Sequence, residues 1–317
     1  MHFRSISDLY RDVWAALGRL PHDIDIVVGI PRSGMLPASM IALARNLPLA
    51  DIDGFAEGRI LNAGHTRREG AEGRSGFAHA LVIDDSCLTG TSMREARAKL
   101  AHLDCRLTFA AVYGPTRETT AVDFICARVP EPRVFEWNVL HHPLVSRACF
   151  DIDGVLCVDP TEAQNDDGAR YLDFLQTATV LHRPRREIAM LVTSRLEKYR
   201  RPTEDWLARQ GIRYRELRML DLPDAETRRR LGAHASFKAG VYRESGQDLF
   251  VESELHQARD IARLSGKPVL SLQGPQMIVP SALNPRAIGH KLAPSRMRAK
   301  VGRAVARMLQ SGQAVRS

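Results

Sequence analysis

The sequence predicts an α/β protein of two domains, each a mostly parallel sheet with flanking helices. Three observations predict it. Short apolar runs alternate with stretches of helical period, as in strands joined by crossover helices. A chain of 317 residues is long for one core, because domains run to roughly 100 to 200 residues. An irregular stretch, "VPEPRVFEWNVLHHPLVS", separates one group of strands from a fresh strand ending at Asp151. The expected boundaries are therefore 1–145, 146–279 and a tail over 280–317.

The elements follow in order. "MHFRSISDLYRDVWAALGRL" is charged throughout and places Phe3, Leu9, Val13 and Leu17 on one side of an amphipathic helix, unlike a secretory signal. Strands are expected over 24–29, 80–84, 106–112, 124–127, 147–151, 188–193, 249–252 and 268–272, with helical stretches after most of them. Over 53–79 the pattern breaks into a segment with six glycines and several arginines, the composition of a functional loop.

Composition excludes some classes. Apolar content of 44% with 26% charged residues is that of a soluble globular protein, and no apolar run approaches the roughly 18 residues of a membrane span. A cytoplasmic protein is expected, with its five cysteines as reduced thiols. The whole net charge of +8 belongs to the last 37 residues, which carry eight Lys or Arg and no acid. Met297, Val301, Ala304, Val305 and Met308 recur there at helical spacing, so the tail reads as a basic amphipathic helix. It docks on its own chain or on a second copy in a homodimer; contact with nucleic acid, an acidic partner or an anionic surface is the other reading.

"LVIDDSCLTGTS" (81–92) is an apolar strand that stops at two aspartates and passes into small hydroxyl residues and a glycine. Asp84 and Asp85 offer acceptors for paired hydroxyls, such as those of a ribose, or for Mg²⁺. Backbone N–H groups of a small-residue loop at a helix N-terminus make an anion cradle, to which Thr89, Thr91 and Ser92 add hydroxyl donors. Diol at one end and phosphate at the other define a sugar-phosphate site.

Four apolar residues, two acids and a Thr-Gly-Thr loop resemble the phosphoribosyl-diphosphate motif of type I phosphoribosyltransferases. The resemblance implies that family's fold, ribose hydroxyls on Asp84 and Asp85, and the 5′-phosphate on the loop of Ser86, Thr89, Gly90, Thr91 and Ser92. Upstream, "VVGIPRSGMLPA" is similar to the family's pyrophosphate loop, which implies contacts from Gly29, Arg32, Ser33 and Gly34. The segment 53–79 corresponds in position to the loop that closes over the reaction centre, with Arg67, Arg68 and Arg74 toward pyrophosphate. Leu88 stands where some members carry an acid directed at the incoming base, which speaks against purine salvage. Phe135, Glu136 and Trp137 resemble a segment that some members place over the acceptor.

In "RACFDIDGVLC" an apolar strand again ends in acids, but Asp151 and Asp153 are two apart, so on an extended chain they point the same way and can share one Mg²⁺. A carboxylate beside a metal can attack phosphorus while its neighbour protonates the leaving oxygen. Later come "AMLVTSR" with Thr193 and Ser194, "SFKAGVY" with Lys238, and "DLFVESE" with Glu252 and Glu254. Four motifs in this order resemble the haloacid-dehalogenase-like phosphatases. The resemblance implies a Rossmann-like fold with a small cap and Asp151 as nucleophile. Asp153 is then acid and afterwards base, Thr193, Ser194 and Lys238 bind phosphate, and Glu252 supports the metal, with Glu254 as the alternative. Asp159, Glu162, Asp166 and Asp167 fall in the short insertion as a solvated loop or a further cation site.

Together the resemblances imply a bifunctional enzyme that uses Mg²⁺. It transfers phosphoribose from phosphoribosyl diphosphate to an acceptor, then hydrolyses the 5′-phosphate to leave a nucleoside-like compound. The alternative is a regulatory module that binds phosphoribosyl compounds, fused to an independent phosphatase.

Overall fold

The computed structural model describes residues 1–61 and 76–280. Residues Met1–Ile278 pack as one compact unit. The tail expected to be helical, and Arg67, Arg68 and Arg74, lie outside the described residues. No helix among the described residues is long and apolar enough to cross a membrane.

The chain opens with β1 (His2–Arg4) and α1 (Ile6–Ala16). The expected N-terminal helix starts later than its apolar pattern, and Phe3 belongs to the strand. Ser5 decides this: its hydroxyl accepts from the Asp8 backbone N–H at 3.1 Å while Asp8 Oδ2 accepts from the Ser5 N–H at 2.9 Å, a capping box that sets the first turn. Then come β2 (Ile26–Gly29), α2 (Met35–Arg45), β3 (Leu49–Asp51), α3 (Ile52–Ala56), β4 (His79–Ser86), α4 (Thr91–Leu100), β5 (Arg106–Gly114), β6 (Phe124–Arg128) and β7 (Arg133–Phe135). The first sheet is parallel throughout, in the order β3-β2-β4-β5-β6. Strand β4 is apolar until its acids because both faces are covered. Leu81 and Ile83 pack with Leu9, Val13, Ala38 and Ile41 of α1 and α2. Ala80 and Val82 face Met93, Ala96 and Leu100 of α4 on the other side.

Two 3-10 turns, Val139–His141 and Pro143–Arg147, carry the chain through the expected boundary near residue 145. There follow β8 (Ala148–Phe150), α5 (Ala169–Thr177), β9 (Ile188–Leu196), α6 (Arg200–Arg209), β10 (Tyr214–Leu220), α7 (Ala225–Leu231), α8 (Ala233–Glu244), β11 (Leu249–Glu252), α9 (Leu255–Ser265), β12 (Val269–Ser271) and β13 (Gln276–Ile278). They form a second sheet in the order β10-β9-β8-β11-β12-β13, parallel except for the last pair. Phe150, Leu191 and Val251 pack on one face with Tyr171 and Phe174 of α5 and with Trp206, whose Nε1–H donates to the Ala178 carbonyl at 2.9 Å. Cys149, Val192 and Phe250 pack on the other with Tyr242, Ala258 and Ile261.

Five strands escape the sequence pattern. Strand β10 is an edge whose Arg215, Glu216 and Arg218 interrupt its apolar run, and charge on an edge is how sheets avoid pairing further. The other four have three residues each, too few to show a period. The five cysteines are free thiols, four of them buried.

Candidate active sites

In the first sheet β2 and β4 are parallel neighbours, so the turns that follow them meet at the same carboxyl edge, where open α/β sheets receive ligands. Asp84 and Asp85 end β4, both buried. The Asp85 N–H donates to Asp84 Oδ1 at 2.8 Å, and Trp137 Nε1–H donates to Asp85 Oδ2 at 2.7 Å. Burial first, and then the Asp85 carboxylate, hold Asp84 well above the usual carboxylate range. The pair therefore holds a proton more readily than two separate carboxylates would, and a cation or a set of hydroxyl donors would relieve it.

Arg32, Ser33 and Gly34 form the turn after β2, anchored where the Ile30 N–H donates to the Ile83 carbonyl at 3.0 Å. Gly34 is required by space: a Cβ there would lie 2.5 Å from the Ile30 carbonyl oxygen, 2.7 Å from that of Ile83 and 3.0 Å from Asp84 Cα. After Asp85, Ser86 donates weakly to its carboxylate at 3.5 Å, Gly90 caps α4, and Thr89, Thr91 and Ser92 are exposed. The Thr89 and Thr91 hydroxyls lie 3.0 Å apart, and Arg94 donates to the Thr89 carbonyl and the Thr91 hydroxyl, each at 3.0 Å. The expected diol acceptors and hydroxyl loop thus share one edge with the Arg32–Gly34 turn.

Two expectations change here. Glu136 does not face an acceptor: its Oε2 takes the Ile6 N–H at 2.8 Å and so holds the start of α1. Phe135 is buried and stacks on Trp137, rings 4.8 Å apart and 2° from parallel, leaving Trp137 to touch the acidic pair. Arg133 and Arg94 were not legible as site residues. Arg133 is buried and donates to the Tyr113 and Cys87 carbonyls at 3.2 and 3.1 Å, fastening the loop to β5.

The second sheet builds a cavity of about 340 Å³, lined by Asp151, Asp153, Asp159, Ser194, Arg228 and Lys238 among others. Asp151 directly follows β8, and its N–H donates to the Val251 carbonyl at 3.0 Å. Lys238 of α8 reaches it from the other face: Nζ donates to Asp151 Oδ2 at 2.5 Å, Glu252 Oε2 at 2.8 Å and Gln257 Oε1 at 3.2 Å. Burial raises Asp151 against the pull of Lys238. For Lys238 burial is outweighed by the two carboxylates, and the ammonium sits above the usual lysine range.

Asp153 is gripped by Arg195, whose Nη2 and Nε donate to it at 2.6 and 3.1 Å. Thr193 and Arg195 share a face of β9, and Thr193 Oγ1 accepts from the Arg195 N–H at 3.2 Å. Glu252 is wholly buried, its second oxygen taken by the Ser253 N–H at 2.9 Å, whereas Glu254 lines the cavity. Gly154 has φ +70°, and a Cβ there would strike Ser253 Cβ at 2.5 Å and Asp159 Oδ2 at 2.8 Å, so the acidic turn closes tightly only with glycine.

The insertion acids divide. Asp159 lines the cavity and is raised by burial and by Asp153. Asp166 instead accepts from the Gly168 and Tyr171 N–H groups, each at 3.0 Å, and Asp167 from Lys198, Tyr199 and the Ala225 N–H, so both fasten the chain.

His234, also on the cavity wall, is pushed down to about 4 by burial and then by Arg228 and Lys238. It therefore stays neutral in the folded chain while the unfolded chain takes up a proton. Stability contributed by the neutral ring is complete above about pH 6.5 and is lost as the pH falls toward about 4, by less than about 2 kcal/mol after solvent screening. His234→Gln is expected to remove that part of the acid sensitivity; urea midpoints at pH 7 and pH 4.5 that move equally in both proteins would contradict it.

A family model described as the phosphoribosyl transferase domain matches residues 6–144. Residues 6–144 are thus similar to that domain. Its match spans the whole first sheet and every residue of the first cluster, and it ends before β8. No curated protein matches the chain. Among solved structures, the xanthine-guanine-hypoxanthine phosphoribosyltransferase of Helicobacter pylori is 19% identical, covering 44% of this chain and 92% of its own, with a TM-score of 0.31. A purine phosphoribosyltransferase from Pyrococcus horikoshii is 17% identical over 43% of this chain and 92% of its own, at 0.32. The orotate phosphoribosyltransferase of Aeropyrum pernix is 20% identical over 39% and 72%, at 0.29. The Asp84–Asp85 edge lies inside the stretch that the family model matches, and the Asp151 cavity lies outside it.

Proposed function

We propose that the chain is a bifunctional cytoplasmic enzyme. Its phosphoribosyl transferase domain moves phosphoribose from phosphoribosyl diphosphate to an acceptor, and its second domain, from about residue 146, is a haloacid-dehalogenase-like phosphatase that removes the 5′-phosphate. The observation that carries the second activity is the meeting of Asp151, Lys238 and Glu252, from two strand ends and a helix, beside Asp153 held by Arg195. Buried lysine between carboxylates at the mouth of a cavity is costly unless it serves a site.

In the first step the ribose hydroxyls meet Asp84 and Asp85, and the 5′-phosphate takes the N–H groups and hydroxyls of 86–92. The acceptor attacks the anomeric carbon as pyrophosphate leaves past the Arg32–Gly34 turn. The protein contributes orientation and charge stabilisation, with no covalent group of its own. In the second step Asp151 attacks phosphorus and becomes the aspartyl-phosphate. Asp153 protonates the departing ribose oxygen, then takes a proton from the water that releases phosphate.

Mg²⁺ suits this second site by its donor chemistry. It is commonly held by one or two carboxylates together with phosphate and water, and Asp151, Asp153, Asp159 and Glu254 all line the cavity. Asp151 and Asp153 would hold it, and it would supply neutralisation of the phosphoryl charge. Among the described residues no group of three or more His, Cys, Asp or Glu is gathered closely enough to hold a metal without substrate.

The test is to incubate Asp151→Asn protein with phosphoribosyl diphosphate, Mg²⁺ and a cell extract, and to identify by mass the phosphoribosylated compound that accumulates. The same experiment with the Asp84→Ala/Asp85→Ala protein is expected to yield none while phosphatase activity persists. Absence of both the compound and pyrophosphate release overturns the transferase reading.

A further inference from the structure

An ammonium has three N–H donors, and in Lys238 all three are engaged, by Asp151, Glu252 and Gln257. None is left for an oxygen of a bound phosphoryl group. Across the same cavity the situation is reversed. Arg228 and Ser194 are 6% and 8% exposed, and the Arg228 Nε–H and the Ser194 hydroxyl are buried with no hydrogen-bond partner among the described residues. Native proteins rarely leave such groups unpaired, and two of them on residues that line one cavity call for a partner that the chain itself does not supply.

The Arg228 guanidinium is already oriented. Nη1 donates to the Ser194 carbonyl at 3.0 Å and Nη2 to Asn165 Oδ1 at 3.4 Å, and the Tyr171 hydroxyl is a further partner of the guanidinium in the same lining. Its planar fork is thereby fixed on β9 beside Thr193, with the Nε edge unpaired, which is the geometry that suits a tetrahedral oxyanion. Nothing in the sequence marks it out, since Arg228 is the first of three consecutive arginines.

We propose that Arg228, with the Ser194 hydroxyl, is the substrate-binding position for the phosphoryl oxygens of a phosphomonoester, and that Lys238 acts as a positioning residue for Asp151. The proposal rests on the phosphatase reading of this cavity. Ser194 keeps the role that the sequence-based expectation gives it; the new elements are Arg228, and Lys238 as a positioning residue where that expectation has it carry the phosphoryl charge itself.

The test uses the full chain with Mg²⁺, inorganic phosphate titrated by calorimetry and hydrolysis of a simple aryl phosphate. Arg228→Lys keeps the positive charge and Ser194→Ala removes only a hydroxyl, so the two variants disturb the fold by different routes; circular dichroism identifies which are folded. Each folded variant is expected to bind phosphate on the order of tenfold more weakly and to show the loss in KM more than in kcat. Unchanged phosphate affinity in the variants overturns the inference, as does failure of the wild-type chain to bind phosphate. Weakened affinity in the variants, with no hydrolysis by the wild type, supports the binding position and sinks the phosphatase reading. Hydrolysis by the wild type with unaltered affinity in the variants does the opposite.

Discussion

Lys238→Met is expected to lower phosphate hydrolysis by at least about a thousandfold and to destabilise the protein by about 3–5 kcal/mol at pH 7.5. The ammonium is 2% exposed and lies against two carboxylates that are themselves almost fully buried. Removing it leaves two like charges in a dry site, and methionine fills the volume without answering either. The stability loss depends on pH, and its sign is fixed by the direction of the carboxyl shift. Without the lysine the folded-state value of Asp151, already raised by burial, loses the pull that lowers it and rises further, so the folded variant keeps a proton that the unfolded chain releases. Its deficit is therefore small near pH 4, grows as the pH rises, and levels off once the folded carboxyls have ionised. Urea unfolding at pH 5 and pH 7.5 measures this. Equal deficits at the two values would show that Lys238 is not paired with ionised carboxylates. Pyrophosphate release, assigned in the proposed function to residues 6–144, is expected to be unaffected at temperatures where the variant is folded.

Gly34→Ala is expected to abolish the first activity while sparing the second. The added methyl meets backbone on both sides, the Ile30 and Ile83 carbonyl oxygens at 2.5 and 2.7 Å, so no side-chain rotation can make room. Either the turn over 31–34 or the end of β4 must move, and β4 carries Asp84. Overpacking of this kind costs about 1–3 kcal/mol, and a displacement of about 1 Å in a positioning site costs about a hundredfold in rate. The measurement pairs pyrophosphate release with aryl phosphate hydrolysis in the same preparation. A variant that transfers phosphoribose at the wild-type rate would sink the assignment of this turn to the site, and one that loses both activities would indicate unfolding.

Much of the architecture was legible because parallel strands covered on both faces leave near-continuous apolar runs. Strand β4 and strand β9 are of this kind, and each ends in residues that an apolar run has no structural use for. Those endings, Asp84–Asp85 and Thr193–Ser194, pointed to the two candidate sites, the second together with Asp151 and Asp153 after β8. The N-terminal helix was legible in period but not in onset, because the capping box at Ser5 competes with the apolar spacing that had included Phe3. Strand β10 was hidden for the opposite reason, its edge position leaving three charged side chains outward.

The sequence by itself therefore determined the α/β class, the order of the principal strands and the residues at their carboxyl ends, since these follow from local period and from the chemistry of adjacent side chains. Tertiary structure alone decided which charges meet. Lys238 is 87 residues from Asp151 in the chain, and Arg195 is 42 from Asp153. Glu136 is 130 residues from the helix start it caps. Pairings over such separations depend on strand order and on which face of a sheet each helix covers, and no local pattern encodes them.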